Sequence, residues 1–157
     1  MSQYCLLLRK DLTGPLAAAH WPADISLVAL SDDLLQPVHA LLSEGYSDGS
    51  GSIETLEDWR HNLLHDAEFD PQLCFIALRS GYVVGVAQGW TSGYLKDLVV
   101  QARHQGQGIG QALLTRIFEV YKQRGEPCVD LKVMEGNTRA RRLYDRAGTH
   151  QVQRIEL

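Results

Sequence analysis

The sequence predicts an α/β fold in which helices flank a mixed sheet. Two observations lead to this prediction. Strand-like and helix-like segments are interleaved along the chain instead of forming separate blocks. In addition, a glycine-rich turn, "QGQGIG" (105–110), lies directly between a strand-like and a helix-like segment. The length of 157 residues suits one domain with its own core, which we expect to span 1–157.

The sequence of the first half of the chain predicts one strand and two helices. The run "ISLVAL" (25–30) has the pattern of a buried strand. Residues 32–46 have the apolar spacing of a helix, with Pro37 near the first turn, where proline is tolerated. A second amphipathic helix is expected over 53–69, and the loop between the two helices, "SDGSGS" (47–52), is predicted to be flexible.

The second half adds strands and two more helices, and it ends on a strand. Asn137 is expected to cap the last helix and Gly148 to end it. The apolar face of that helix carries Leu143 and Tyr144. The predicted elements are a hairpin over 73–80 and 82–90, a strand over 93–100, a helix over 109–122, a strand over 127–134, the helix capped by Asn137, and a strand over 150–157. The resulting order is β-α-α-β-β-β-α-β-α-β.

Composition excludes several classes of protein. No apolar run approaches the roughly 20 residues of a membrane span, and the N-terminus lacks the basic region of a signal peptide. Three widely spaced cysteines fit neither a disulfide framework nor a zinc site, so we expect buried thiols and a cytoplasmic location. The net charge is −4. Residues 1–72 carry 12 acidic and 3 basic side chains, whereas residues 73–157 carry 7 and 12, which slightly favours an anionic ligand for the second half.

The glycine turn predicts an anion site. Glycine costs helix stability, so three glycines at a helix start suggest that a ligand approaches the backbone closely. The first N–H groups of a helix lack partners and carry the positive end of the dipole, which suits a phosphate. A Walker A loop is excluded because Gln111 and Ala112 follow Gly110. A dinucleotide fingerprint is excluded because the third glycine comes too early.

The spacing that does fit is Gln-x-x-Gly-x-Gly, formed by Gln105, Gly108 and Gly110. The segment "YLKDLVVQARHQGQGIGQALL" resembles the core motif of the GNAT N-acetyltransferase superfamily, and "NTRARRLYDRAG" resembles its second motif. The strand "YLKDLVV" is similar to strands of the diamine and small-amine acetyltransferases. The resemblance covers about residues 73–148 and departs from the family at Ala102, where proline is frequent, and at the short segment after Gly148.

The resemblance implies the GNAT fold and a binding site for acetyl-CoA that uses no metal. Backbone groups of a strand segment would pair with the pantetheine arm, and one N–H there would polarise the thioester carbonyl. Backbone N–H groups of the turn would hold the pyrophosphate. The strand residues are Leu98, Val99 and Val100, and the turn residues are Gln105, Gly106, Gln107, Gly108, Ile109 and Gly110. Asn137 would contact the coenzyme arm, in addition to or instead of acting as a plain helix cap.

Tyr144 and Asp97 are the candidate catalytic residues. By resemblance Tyr144 would protonate the leaving thiolate; the alternative is a core tyrosine. The family's base position falls on Lys96, which is not a carboxylate and speaks against a usual polyamine substrate. Asp97 is a candidate for positioning the amine. Strand alternation would place it on the face opposite Lys96, and a solvated or capping carboxylate is the competing interpretation.

His61 and His65 have the i, i+4 spacing of metal ligands, but the H-E-x-x-H pattern is absent and no third ligand is evident, so we predict no metal site. The acceptor pocket is expected around Tyr46 and Trp59. Nucleic-acid binding by the arginines of the last helix is disfavoured by the acidic first half and by the absence of interleaved aromatic residues.

The resemblance implies an N-acetyltransferase that acetylates a primary amine, on a small molecule or a peptide, by direct attack in a ternary complex. The rival hypothesis is a non-catalytic acyl-CoA-binding or regulatory module. The nine residues after Gly148 allow one closing strand, not two. The sheet could be completed by the N-terminal stretch 3–10 or by strands shared in a homodimer, and the dimer is the favoured prediction. Neither a nucleic acid nor a membrane is an expected partner.

Overall fold

A computed structural model describes residues 3–47 and 52–157 of the protein. The strands are β1 (Tyr4–Asp11), β2 (Ile25–Ala29), β3 (Phe69–Arg79), β4 (Tyr82–Trp90), β5 (Tyr94–Val100), β6 (Cys128–Met134) and β7 (His150–Glu156). The helices are α1 (Leu35–Gly45), α2 (Leu56–His65), α3 (Ile109–Gln123) and α4 (Thr138–Arg146). Short 3₁₀ turns precede α1 and α3.

All seven strands form one mixed sheet in the order β2-β3-β4-β5-β6-β1-β7. Every pairing is antiparallel except that of β5 with β6, which is parallel. The sheet separates two apolar cores. One lies under α3 and α4, and the other lies under α1 and α2. The predicted α/β class with a mixed sheet is confirmed.

The N-terminal strand β1 is absent from the predicted order of elements, and its position is the main correction to that order. It lies between β6 and β7 and pairs antiparallel with both. Leu6 and Leu8 of this strand enter the core under α3, with 1% and 7% of their surface exposed. The sheet is therefore completed within one chain by the N-terminal stretch, and the favoured prediction that strands shared in a homodimer complete it was wrong.

Three other predictions need adjustment. The strand predicted as buried over 25–30 is present as β2, but it is an edge strand and none of its five residues is fully buried. A strand with a neighbour on one side only cannot be enclosed on both edges. The helix predicted over 53–69 ends at His65, and Phe69 already begins β3. Of the loop predicted over 47–52, residues 48–51 lie outside the described residues.

Within the described residues, no helix combines the length and the apolar character that crossing a membrane would require. The cysteines are unpaired: Cys5 and Cys74 are buried, and Cys128 is partly buried. Burial raises the pKa of the Cys74 thiol to about 12, which keeps it protonated and unreactive at neutral pH.

Candidate active site

The glycine turn leads from the end of β5 into the N-terminus of α3. Gly106 and Gly108 have φ angles of +78° and +88°, a left-handed conformation that other residues adopt only with strain. Gly108 occupies the N-cap position of α3 without a side-chain cap, so the first N–H groups of the helix lack that partner. A side chain on Gly110 would start 3.3 Å from Leu143. The first two glycines therefore shape the turn, and the third lets α3 approach α4.

A cleft of about 460 Å³ runs from this turn toward the middle of the sheet. Its walls come from β5, from the turn and start of α3, from α4, and from the C-terminal end of α1. The residues that were predicted from the sequence to belong to the site and that line this cleft are Tyr46, Leu98, Val99, Val100, Gln105, Gly106, Gly108, Ile109, Gly110, Asn137 and Tyr144. Two segments that lie 28 residues apart in the chain, from Gly110 to Thr138, thus line one cleft.

The cleft exists because β5 and β6 separate. Their parallel pairing comprises only Tyr94 with Asp130 and Leu95 with Leu131. Beyond Leu95, the side of β5 that faces β6 has no paired strand among the described residues, while the other side remains paired with β4 as far as Val100. An unpaired strand edge beside a cleft can bind an extended ligand through backbone hydrogen bonds.

The two glutamines of the turn have structural side-chain contacts. Gln105 donates from Nε2 to the carbonyl oxygen of Val100 at 3.0 Å, which ties the turn to the end of β5. Gln107 is not among the residues that line the cleft, and its Oε1 accepts a 2.7 Å hydrogen bond from Arg79 of β3. The same guanidinium contacts Nδ1 of His104 at 2.7 Å. Side chains thus fix the turn from outside and leave its backbone free to face a ligand.

Asn137 caps α4, as the sequence predicts. Its Oδ1 accepts a 3.2 Å hydrogen bond from the N–H of Ala140. The residue also lines the cleft, so the cap and a ligand contact are compatible.

Tyr144 lies at the inner part of the cleft with only 8% of its surface exposed. Its ring packs into the core under α3, together with Leu143 and Ala147. Its hydroxyl forms no hydrogen bond with any residue in the described ranges. Burial raises the pKa of this hydroxyl, and the negative charge of Asp97 and the neighbouring Tyr94 raise it further, so the group stays protonated well above neutral pH.

The prediction for the orientation of Asp97 was wrong. Gln88 of β4 pairs with Asp97 and Gly89 pairs with Leu95, so Lys96 is an extra residue, a β-bulge. The bulge interrupts the alternation and brings Lys96 Nζ to 3.5 Å from Asp97 Oδ2, an ion pair on the same face. The competing interpretation of a solvated or capping carboxylate is also wrong, because Asp97 is only 6% exposed, lies inside β5, and accepts a hydrogen bond from the Tyr46 hydroxyl.

Arginines of α4 also line the cleft, and they did not enter the predicted site. Arg139 and Arg146 contribute to its wall, and the Arg139 guanidinium would lie 3.9 Å from a side chain placed on Gly106. Their spacing of seven residues places both on one face of the helix, a signal that the sequence contained. No pattern in the sequence indicated the buried Gln88, which faces Asp97.

The two histidine rings of α2 lie against each other. The rings of His61 and His65 lie 4.2 Å apart, and Nδ1 of His65 contacts the carbonyl oxygen of His61 at 2.8 Å. Among the residues that the structure describes, no group of three or more histidine, cysteine or acidic side chains is arranged to hold a metal ion.

Comparison with known proteins gives consistent matches. The profile of the Acetyltransferase (GNAT) family matches residues 35–149. A mycothiol acetyltransferase of Beutenbergia cavernae is 35% identical over 102 residues, which cover 60% of this chain and 33% of that protein. An N-alpha-acetyltransferase MAK3 of Arabidopsis thaliana is 33% identical over 92 residues, which cover 54% of this chain and 48% of that protein.

Among solved structures, a GCN5-related N-acetyltransferase from Sphaerobacter thermophilus superimposes with a TM-score of 0.85 at 30% identity. The alignment covers 99% of this chain and 50% of that chain. The chain therefore spans about a third to a half of the length of these proteins.

Proposed function

This chain belongs to the acetyltransferase (GNAT) family, and from that premise we propose that it is an N-acetyltransferase. It transfers the acetyl group of acetyl-CoA to a primary amine by direct attack while both substrates are bound. The observation that carries the proposal is one continuous cleft that the glycine turn and the largely buried Tyr144 both line.

The coenzyme is held by backbone groups. The N–H groups from Gln105 to Gly110 bind the pyrophosphate, which the positive end of the α3 dipole also favours. The fit is supported by open space at Gly108: apart from its neighbours in the chain, no described residue has a heavy atom within 4 Å of the position that a side chain there would take. The pantetheine arm follows the free edge of Leu98, Val99 and Val100, and Asn137 contacts it from α4.

Catalysis requires three events at the thioester. A backbone N–H of β5 polarises the carbonyl, the neutral amine attacks the carbonyl carbon, and Tyr144 donates its proton to the departing thiolate. Because burial and the charge of Asp97 raise its pKa, the Tyr144 hydroxyl carries at neutral pH the proton that this role requires. Asp97 lies on the side of the sheet that faces α1, where the amine is expected to bind.

The acceptor is proposed as a primary amine on a small molecule or a peptide. This range is supported by the names of two relatives, a mycothiol acetyltransferase and an N-alpha-acetyltransferase, which differ in the kind of acceptor that they indicate. The ion pair of Lys96 with Asp97 leaves less negative charge for a polyamine than two carboxylates would.

Two further expectations belong to the proposal. A homodimer stays a prediction. Because β1 completes the sheet, association is not needed to close it. The support for association is the exposed strand β7, whose outer edge pairs with no other strand among the described residues. Sedimentation equilibrium tests it, and a monomer at high micromolar concentration contradicts it. A cytoplasmic setting is supported by the three unpaired thiols.

The test of the function uses the purified chain with acetyl-CoA and four amines: 1,4-diaminobutane, lysine, glucosamine and a peptide with a free N-terminus. Release of the CoA thiol is measured, and mass spectrometry identifies the acetylated product. Calorimetry measures acetyl-CoA binding in parallel. Binding without thiol release from any amine contradicts the catalytic proposal and favours a non-catalytic acyl-CoA-binding module. Absence of binding contradicts the site itself.

A further inference from the structure

A cluster of buried and partly buried polar side chains lies beside the cleft, on the face of the sheet that packs against α1 and α2. It consists of Tyr46, Gln88 and Asp97, which we call the Asp97 cluster. Gln88 and Asp97 are direct cross-strand partners on β4 and β5 and are 2% and 6% exposed. Tyr46 follows the last turn of α1 and reaches the strands from above. Two side chains from neighbouring strands and one from a distant helix end thus meet in an otherwise apolar layer.

The hydrogen bonding of this cluster is incomplete. The Tyr46 hydroxyl donates to Oδ1 of Asp97 at 2.5 Å. Oδ2 of Asp97 and Nε2 of Gln88 are buried and have no hydrogen bond with any described residue, although Lys96 Nζ lies 3.5 Å from Oδ2. A buried polar group without a partner destabilises the fold, so packing alone does not explain why a carboxylate lies here. Incomplete satisfaction is common where a site handles protons or ligands.

Tyr46 connects this carboxylate to the cleft. It lines the cleft together with Tyr144, whereas Asp97 does not. The two tyrosines are close enough for the phenol of Tyr144 to contribute to the raised pKa of Tyr46, which is caused mainly by burial and by Asp97. Tyr46 therefore keeps its proton at neutral pH and can accept a second proton only while it passes its own to Asp97.

We propose that Tyr46 is a catalytic residue that relays the proton of the attacking amine to Asp97. The inference rests on the proposed acetyl transfer and names the route by which the amine loses its proton. It also supplies a base although Lys96 stands where a carboxylate would be expected. The chemistry that the Asp97 cluster accepts is that of a neutral or weakly basic primary amine that becomes positively charged on attack.

The step balances in protons and bonds. The amine nitrogen forms a bond to the thioester carbon and becomes positively charged. Its excess proton moves to Oη of Tyr46 as the Tyr46 proton moves to Oδ1 of Asp97. The C–S bond then breaks, and the thiolate takes the proton of Tyr144. After the products leave, the proton on Asp97 returns through Tyr46 to the oxygen of Tyr144, which restores both residues.

A merely structural role for Tyr46 makes a different prediction. In that case loss of the hydroxyl lowers the free energy of unfolding but leaves the rate and its dependence on pH unchanged. If Tyr46 relays a proton, loss of its hydroxyl lowers the rate of acetyl transfer. The loss becomes smaller as the pH rises, because hydroxide in solution can then accept the proton of the amine instead.

The experiment compares Tyr46→Phe with Tyr121→Phe. Tyr121 is a buried tyrosine of α3, 1% exposed, whose hydroxyl donates at 2.6 Å to the carbonyl oxygen of Trp90. The Tyr121→Phe variant loses the same hydroxyl oxygen as the Tyr46→Phe variant, but Tyr121 packs in the other core, under α3. The kcat of thiol release is measured from pH 6 to 10 with the four amines named above, and calorimetry measures acetyl-CoA affinity. Thermal unfolding checks that each variant is folded.

We expect Tyr46→Phe to lose about 100-fold in kcat at neutral pH, in line with loss of general base catalysis, with acetyl-CoA affinity unchanged. The deficit shrinks as the pH rises, and Tyr121→Phe retains wild-type kcat. Asp97→Asn gives a similar loss, and the double variant is no slower than either single variant, because the two residues act as one unit.

The relay is overturned if Tyr46→Phe matches the wild type at every pH, or if the two single losses multiply in the double variant. If the wild type binds acetyl-CoA but releases thiol with none of the amines, the proposed function fails first and the relay falls with it. The first two outcomes occur only with an active wild type, so the two failures are distinguishable.

Discussion

The guanidinium of Arg79 donates a 2.7 Å hydrogen bond to Oε1 of Gln107, which fixes the glycine turn to the end of β3. On its other side the guanidinium pairs with Asp24. The turn that is proposed to bind the pyrophosphate is thus held by a residue that does not line the cleft.

Replacing Arg79 by methionine is expected to weaken acetyl-CoA binding about fivefold. The reason is indirect: the turn loses a hydrogen bond worth roughly 1 kcal/mol and becomes less ordered before the ligand binds. Calorimetry measures the affinity. Asp24→Asn is the control, since it alters the outer partner and keeps the contact with Gln107. Equal affinity in Arg79→Met and the wild type contradicts the positioning role.

Gly108→Val is expected to abolish acetyl-CoA binding within the range of calorimetry, because the added side chain occupies the space of the pyrophosphate. The φ angle of +88° adds backbone strain, so a matched control is needed. Gly81→Val, in the turn between β3 and β4, has a similar φ of +80° and also has open space around it. The control should lose stability but bind normally. Normal binding by a folded Gly108→Val protein would falsify the assignment of the turn.

Tyr144→Phe should lower kcat by about 10²–10⁴-fold and leave acetyl-CoA affinity nearly unchanged. The ring still packs under α3, while the proton donor to the thiolate is lost. Steady-state kinetics at saturating amine, with calorimetry of the coenzyme, make the measurement. An unchanged kcat would show that Tyr144 is only a core residue.

Arg139→Ala should weaken acetyl-CoA binding about two- to fivefold at low salt, and the difference should shrink as salt screens the exposed charge. The control is Arg142, because it is also exposed on α4 but lines a different groove, beside β1. Affinity is measured at two salt concentrations. A loss of the same size in Arg142→Ala would mean that the effect belongs to the charge of the helix and not to the cleft.

Alkaline stability depends on Tyr144 with a definite sign. Its pKa in the folded protein is raised above the ordinary value of 10.0 by burial and by Asp97, so the stabilisation is fully present below pH 10 and is lost as the pH rises toward the folded pKa. Each such tyrosine lowers the free energy of unfolding by about 1.4 kcal/mol per pH unit in that window. Denaturation at pH 9 to 11 should show a shallower decline in Tyr144→Phe. Tyr82→Phe, at a site that is 76% exposed, should keep the slope of the wild type.

The sequence by itself determined the features that depend on neighbours in the chain. The glycine spacing of the turn, the Asn137 cap and the succession of strands and helices follow from backbone requirements and from periodicities of two and 3.6 residues. The structure contains all of them at or near the expected positions. The family motifs are of this local kind too, which is why they were recognisable.

Only the tertiary structure decided which distant segments meet. The placement of β1 between β6 and β7 depends on a choice of strand partners more than 100 residues apart, for which no local pattern exists. The bulge at Lys96 turned Asp97 toward the face of the sheet that α1 and α2 cover, and a one-residue irregularity of this kind reverses the face of every later side chain. The hydrogen bond from Tyr46 to Asp97 spans 51 residues and exists because α1 packs across β4 and β5. Such contacts are set by how elements pack, and packing depends on the whole chain at once.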